Sequence, residues 1–223
     1  LMVLALREMG AQVEYLVPDR FKYGYGLTPA IADLAFTSFT PDLLITVDNG
    51  ISSHDGVKQA QDHGMQVIIT DHHLTTKPTP SAQAVVNPNQ LGCDFPSKAL
   101  AGVGVAFYVL ANLSTYRKKL NKSSAIMSQY LDLVALGTYA DVASLDYNNR
   151  ILVDVGLKRI QQHLCRPGIS ALLEIAGREA ATLKAQGFGF VLGPRINAAG
   201  RMETMDIGIE CLLAQDFASA YPL

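Results

Sequence analysis

Two short runs of aliphatic and β-branched residues constrain this chain most, because each ends abruptly at a carboxylate. Asp42-Leu43-Leu44-Ile45-Thr46-Val47 runs into Asp48-Asn49-Gly50, and Met65-Gln66-Val67-Ile68-Ile69-Thr70 runs into Asp71-His72-His73. Runs of this length and composition suit strands covered on both faces, as in a parallel sheet. Around them the pattern alternates, with strands expected at 12–17, 42–47, 65–69 and 84–86 and helices near 29–37 and 53–63. The expected fold is therefore α/β, a parallel β-sheet with crossover helices. Beyond residue 98 helical spacing takes over, at Ala99 to Leu113, Ser128 to Leu136 and Ile151 to His163, so a mainly helical part follows the sheet. Residues 1–145 read as the α/β core and 146–223 as a helical extension belonging to the same unit.

Composition sets the limits. A chain of 223 residues, 49% of them apolar, can bury a full core. A formal net charge of -2 supplies no overall basic field, so a polyanion would have to be held by local Arg, Lys and metal. Cys93, Cys165 and Cys211 are widely spaced, without the paired pattern of a zinc ribbon or disulfide framework, and no signal peptide is visible. A cytoplasmic protein is expected. No apolar stretch approaches the ~18 residues of a membrane span. Leu1 to Met9 reads as a helix stopped by Gly10 with no strand before it, and residues 214–221 as a helix cut short, so truncation is expected at both ends.

In open parallel sheets, ligands bind beyond the carboxyl ends of the strands, where loops gather side chains from several segments. One Asp beside one His at such a place is more often a hydrogen-bonded loop pair than a metal site. The second carboxylate changes the balance. Asp48, Asp71, His72 and His73 should reach the same sheet edge, and an oxygen-rich set with one or two imidazoles suits Mn2+ or Mg2+. A third acidic point, Asp141, follows an apolar helical run that is expected to break at Gly137; with Asp48 and His72 it makes a three-ligand set that leaves positions for water and substrate.

Two glycine-rich segments are weaker signals. Gly187 to Arg201 combines glycines with Arg195, Asn197 and Arg201, donors suited to phosphate oxygens, although a plain turn with surface arginines fits the composition too. Val17 to Gly26 interleaves basic and aromatic residues with glycines, and reads equally as a simple loop. Gly102 and Gly104 should allow close packing of the helix they begin. His54, His63 and His163 read as surface or helix-terminal groups.

Taken in order, Val47-Asp48-Asn49-Gly50-Ile51, Thr70-Asp71-His72-His73, Leu136-Gly137-Thr138-Tyr139-Ala140-Asp141-Val142 and Gly193-Pro194-Arg195-Ile196-Asn197-Ala198-Ala199-Gly200-Arg201-Met202 resemble the DHH phosphoesterase superfamily. The last segment, with Ala101 to Phe107, resembles its RecJ-type single-strand-specific exonucleases. The resemblance implies a two-metal phosphodiester hydrolase using Mn2+ or Mg2+, a 5′-3′ exonuclease on single-stranded DNA in repair and recombination; separately, a monomer is expected. Asp48, His72 and Asp141 would be metal ligands. Asp71 would orient an imidazole, His73 would face the scissile phosphate, and Arg195, Asn197 and Arg201 would hold the substrate backbone. The family's earlier Asp-x-Asp motif is not found in these residues, so impaired catalysis by this stretch alone is expected. Two alternatives stay open: a phosphatase of the same superfamily acting on short oligonucleotides, cyclic dinucleotides or pyrophosphate, and a catalytically impaired DNA-binding fragment.

Overall fold

A computed structural model describes residues 1–196 and 205–223, with the side chains of Arg20 and Phe21 left aside. Its sheet has three parallel strands in the order β1 (Leu43–Val47), β2 (Gln66–Thr70), β3 (Ala84–Val86). β2 is central, and Val67, Ile69 and Thr70 on it are wholly buried. That accounts for its unbroken apolar sequence; each aliphatic side chain buried there contributes about 1.5–3 kcal/mol.

Helices α3 (Pro29–Phe39) and α4 (His54–Asp62) pack together against this sheet. The start of α3 is written in Thr28-Pro29: the threonine hydroxyl accepts from the Ile31 N–H at 3.4 Å, and proline takes a first-turn position where its missing N–H costs nothing. Ile31, Ala32, Val57, Ala60, Met65, Val67 and Ile69 form the core between them. α1 (Met2–Glu8) and the single turn α2 (Arg20–Tyr23) precede α3.

The helical part is built on α5 (Gly102–Lys119), α6 (Leu131–Ala140), α7 (Tyr147–Gln161) and α8 (Pro167–Ile175), with a 3-10 turn at Met127–Tyr130 leading into α6. Leu110, Leu133, Leu136, Val153, Ile160, Ile169, Leu173, Phe188 and Leu192 form its core. α6 and α7 approach closely at Gly156, where a Cβ would lie 2.2 Å from the Leu131 carbonyl oxygen. Residues 186–196 form helix α9, and α10 (Asp206–Leu213) and α11 (Phe217–Ala220) close the described chain.

Several expectations need correction. Residues 12–17 carry no strand; the Val13 carbonyl is taken by the Arg7 guanidinium, at 3.1 and 2.6 Å, instead of by a neighbouring strand. The connection from β2 to β3 carries no helix, as the stiff Lys77-Pro78-Thr79-Pro80-Ser81 segment implies. α6 does not break at Gly137, which lies against Val103, where a Cβ would come 2.7 Å from Cγ1; the glycine is there for a close helix contact. The segment after Gly187 is helical, with a π-turn at Phe188–Leu192 closed by the Gly193 N–H on the Phe188 carbonyl. Pro194 has no N–H to continue an ordinary ladder, which favours the widened turn just before it.

Candidate active site

The register of the sheet builds the site. Val47 pairs with Thr70, and Thr70 with Val86, so the next residues, Asp48, Asp71 and Asn87, stand in line at the carboxyl edge. The ladder runs one bond past each strand: the Asp48 N–H donates to the Thr70 carbonyl and the Asp71 N–H to the Val86 carbonyl, both at 3.0 Å. Asp48 then takes a left-handed conformation (φ 63), which aspartate tolerates better than most residues and which turns the chain sharply at the strand end.

His72 faces both proposed carboxylate partners. Its Nε2 lies 3.0 Å from Asp48 Oδ1 and 3.8 Å from Asp141 Oδ2. Asp141 reaches this point from the end of α6, where the Asp141 N–H closes on the Gly137 carbonyl at 2.9 Å and Val142, with φ 54, turns the chain away. His72 Nε2 is buried, yet it takes no aligned hydrogen bond. A nitrogen in that state, with two carboxylates aimed at the same space, offers donors of the kind that suit a divalent cation. The neighbouring Asp48 carboxylate, acting against burial, holds the His72 pKa above its ordinary 6.5; burial and the Asp48 charge push that of Asp141 above its ordinary 3.8.

Asp71 is buried and makes no approach of this kind. Its Oδ2 accepts from the Ile51 N–H at 2.9 Å; Oδ1 accepts from the His72 N–H at 2.7 Å, the His73 N–H at 3.1 Å and His73 Nδ1 at 2.7 Å. Burial works against its charge, but these donors outweigh it and its pKa falls below the ordinary carboxylate value. The imidazole that Asp71 orients is thus that of His73. With Nδ1 committed to the carboxylate, Nε2 of His73 is the nitrogen left to act, 3.5 Å from the Tyr25 hydroxyl. Asp48, His72 and His73 each offer a ligand atom within 4.8 Å of the others.

Three supports of the site were not assigned to it from sequence, although Gly102 and the Val17 to Gly26 segment stood out there for other reasons. The Asn87 amide donates to the His73 carbonyl at 2.9 Å and the Asn89 amide to the His72 carbonyl at 2.6 Å, so the Asn-Pro-Asn that ends β3 clamps the backbone of both histidines. The signal was available, since Asn87 follows its strand as Asp48 and Asp71 follow theirs. Gly102, at the first turn of α5, lies against Asp48, where a Cβ would fall 2.2 Å from Oδ1. The positive end of that long helix is thereby brought to a carboxylate. Tyr25 is the third, with its hydroxyl donating to the Asp48 carbonyl at 3.3 Å.

Arg195 is exposed on α9, and its Nη1 donates to the Val191 carbonyl at 2.8 Å. α9 is tied to the site through α6: Phe188 stacks on Tyr139, two residues before Asp141, with ring centroids 5.5 Å apart. Asn197 and Arg201 lie outside the described residues. His63 bonds Asp33 at 2.6 Å and stacks on Phe36, remote in role from the metal-like cluster.

Residues 1–138 match the family model described as the DHH family, N-terminal domain. The chain belongs to the DHH family. Among its DHH relatives, a single-stranded-DNA-specific exonuclease RecJ of Dickeya dadantii (strain 3937) is 52% identical over 227 residues, covering 99% of this chain and 39% of the relative. The exonuclease of the same description from Escherichia coli (strain K12) is 50% identical over the same shares of each chain. A crystal structure of exonuclease RecJ bound to manganese superposes with a TM-score of 0.84 at 35% identity, over 99% of this chain and 54% of that one. The chain thus spans about 39% of the length of these curated relatives.

Proposed function

We propose that this chain is the catalytic core of a divalent-metal-dependent phosphodiester hydrolase that removes nucleotides from single-stranded DNA in the 5′-to-3′ direction, in repair and recombination. The observation that carries the proposal is the buried His72 Nε2, without an aligned hydrogen bond and lying between Asp48 Oδ1 at 3.0 Å and Asp141 Oδ2 at 3.8 Å. The names of the DHH relatives supply the substrate class.

Asp48, His72 and Asp141 would hold Mn2+ or Mg2+, with a second ion expected beside Asp48. Such ions, when bound, neutralise phosphate charge and lower the pKa of an attacking water. The chain's own residues do the rest. Hydrolysis forms a bond from water oxygen to phosphorus, breaks the bond from phosphorus to the departing sugar oxygen and leaves a proton on that oxygen. His73, fixed through Nδ1 by Asp71, presents Nε2 to the phosphate or to that proton. Arg195, with Asn197 and Arg201, would grip the phosphates that follow.

The division at 145/146 is a division within one catalytic unit, because the core residues of α6 and α7 are shared across it. A cytoplasmic setting fits three cysteines that are all free. Among the described residues no helix is long and apolar enough to cross a membrane.

The test uses the full-length protein with Mn2+ and single strands labelled at either end. Stepwise loss from the 5′ end, abolished in His72→Ala and Asp48→Asn, is the expected result. Faster turnover of dinucleotides or pyrophosphate than of long strands would move the assignment to a small-substrate phosphatase. Unchanged activity in both variants would remove the metal-site assignment altogether.

A further inference from the structure

Tyr25 touches the site through its hydroxyl and one ring edge. Its residue surface is 72% exposed, yet its hydroxyl is not directed into open solvent. It reaches the Asp48 carbonyl at 3.3 Å and His73 Nε2 at 3.5 Å, and the ring stands edge-on to the His73 imidazole, with centroids 6.1 Å apart and planes at 78°. The polar tip is pinned at the reacting centre while the flat faces of the ring remain uncovered.

The backbone is built to hold it so. Gly24 and Gly26 flank Tyr25 with φ of +82° and +77°, a left-handed conformation on each side that L side chains rarely adopt. Immediately afterwards the loop is fastened: the Leu27 N–H donates to Ser53 Oγ at 3.1 Å, Leu27 itself is buried in the sheet-side core, and Thr28 caps α3. The ring therefore projects from a turn with a fixed base, and a ring so placed loses little conformational freedom when it meets a ligand.

Among the described residues no core side chain packs on the faces of this ring. A nucleotide would use it. A nucleotide whose phosphate sat beside His73 Nε2 would have its base within a nucleotide's length of this ring, because the Tyr25 hydroxyl lies 3.5 Å from that nitrogen. We infer that Tyr25 is a substrate-positioning residue whose ring stacks on the base of the nucleotide being removed. Stacking is tolerant of sequence because every base has a π-face, so the same contact serves each successive terminal nucleotide. The inference rests on the nuclease reading given above.

The experiment compares wild type, Tyr25→Phe and Tyr25→Ala in the full-length protein with Mn2+, on two single strands that differ only at the 5′-terminal residue, one normal and one abasic. On the normal strand, Tyr25→Ala is expected to fall in kcat/KM roughly 5- to 150-fold below Tyr25→Phe, which keeps the ring and loses only the hydroxyl, the range set by loss of one base–aromatic stack. On the abasic strand Tyr25→Ala and Tyr25→Phe, which both lack the hydroxyl contact, should be equal. Because each variant is its own reference between the two strands, a folding defect cannot imitate this pattern. An equal loss for Tyr25→Ala on both strands, or a loss for Tyr25→Phe on the normal strand as large as for Tyr25→Ala, would overturn stacking and leave the nuclease reading standing. Wild type inert toward both strands would overturn the nuclease reading and the stacking together.

Discussion

Gly102 stands so close to Asp48 that a Cβ added to it would sit 2.2 Å from Oδ1. The first turn of α5 and the carboxylate at the end of β1 thus share a space that admits only hydrogen. Gly102→Ala should displace the Asp48 side chain and weaken Mn2+ binding on the order of 10- to 100-fold, the usual cost of disturbing a group that orients a ligand. The helix itself gains from alanine, by up to about 1 kcal/mol. Calorimetric Mn2+ titration alongside thermal unfolding checks both, and a loss of affinity without a loss of stability is the expected signature.

Asn87 and Asn89 hold the His73 and His72 carbonyls, and Asn87 is buried. Removing the Asn87 amide by Asn87→Ala leaves a backbone acceptor unpaired, at a cost of about 1–3 kcal/mol. Asn89→Ala, at a half-buried position, should cost less stability but still loosen the histidine loop. Both variants should bind Mn2+ more weakly. Urea unfolding separates the two effects; full Mn2+ affinity in both variants would rule out the clamp as a determinant of the site.

Asp71 gives a dependence on pH. Its folded pKa is depressed below the unfolded value of 3.8, so its stabilising contribution is complete above that value and is lost as pH falls through the folded one. In metal-free protein the unfolding free energy should decline through this acid window. Asp71→Asn should flatten that slope and should be less stable at neutral pH by about 1.5–3 kcal/mol, the worth of hydrogen bonds to a charged group. Urea titrations at a series of pH values measure both.

At Gly156 the backbones of α6 and α7 come together, with a Cβ there only 2.2 Å from the Leu131 carbonyl oxygen. Gly156→Ala gains helix propensity but forces the pair apart, and overpacking of this kind costs about 1–3 kcal/mol. Because α6 carries Asp141 at its end, Mn2+ affinity should fall together with the denaturation midpoint. A variant with wild-type stability would show that the helices can separate freely.

Strong local signals were legible directly. The runs ending at Asp48 and Asp71 are β1 and β2 to within a residue, since burial on both faces leaves little freedom in composition. The helix expected near 29–37 is α3, and it starts at Pro29. Contacts between distant segments were not legible. Gly137 looked like a helix break because a glycine permits both a break and a close approach, and only Val103 across the interface decides between them. Residues 12–17 alternate as a strand would, but a strand needs a partner, and Arg7 took the Val13 carbonyl. Of the site, the ligand types were visible in order along the chain, whereas the pairing of Asp71 with His73 depended on how one loop folds back between β2 and β3.

The alignment of Asp48, Asp71 and Asn87 across three paired strands also limits how such a chain can vary in length. Inserting or deleting one residue inside β1, β2 or β3 would move a site residue off this line and turn the remaining side chains of that strand to the opposite face. The same change in the segment around Lys77 to Ser81 moves no paired residue. Length variation among descendants of this sequence should therefore gather between the strands, while the strands keep their residue count even where their aliphatic side chains are exchanged.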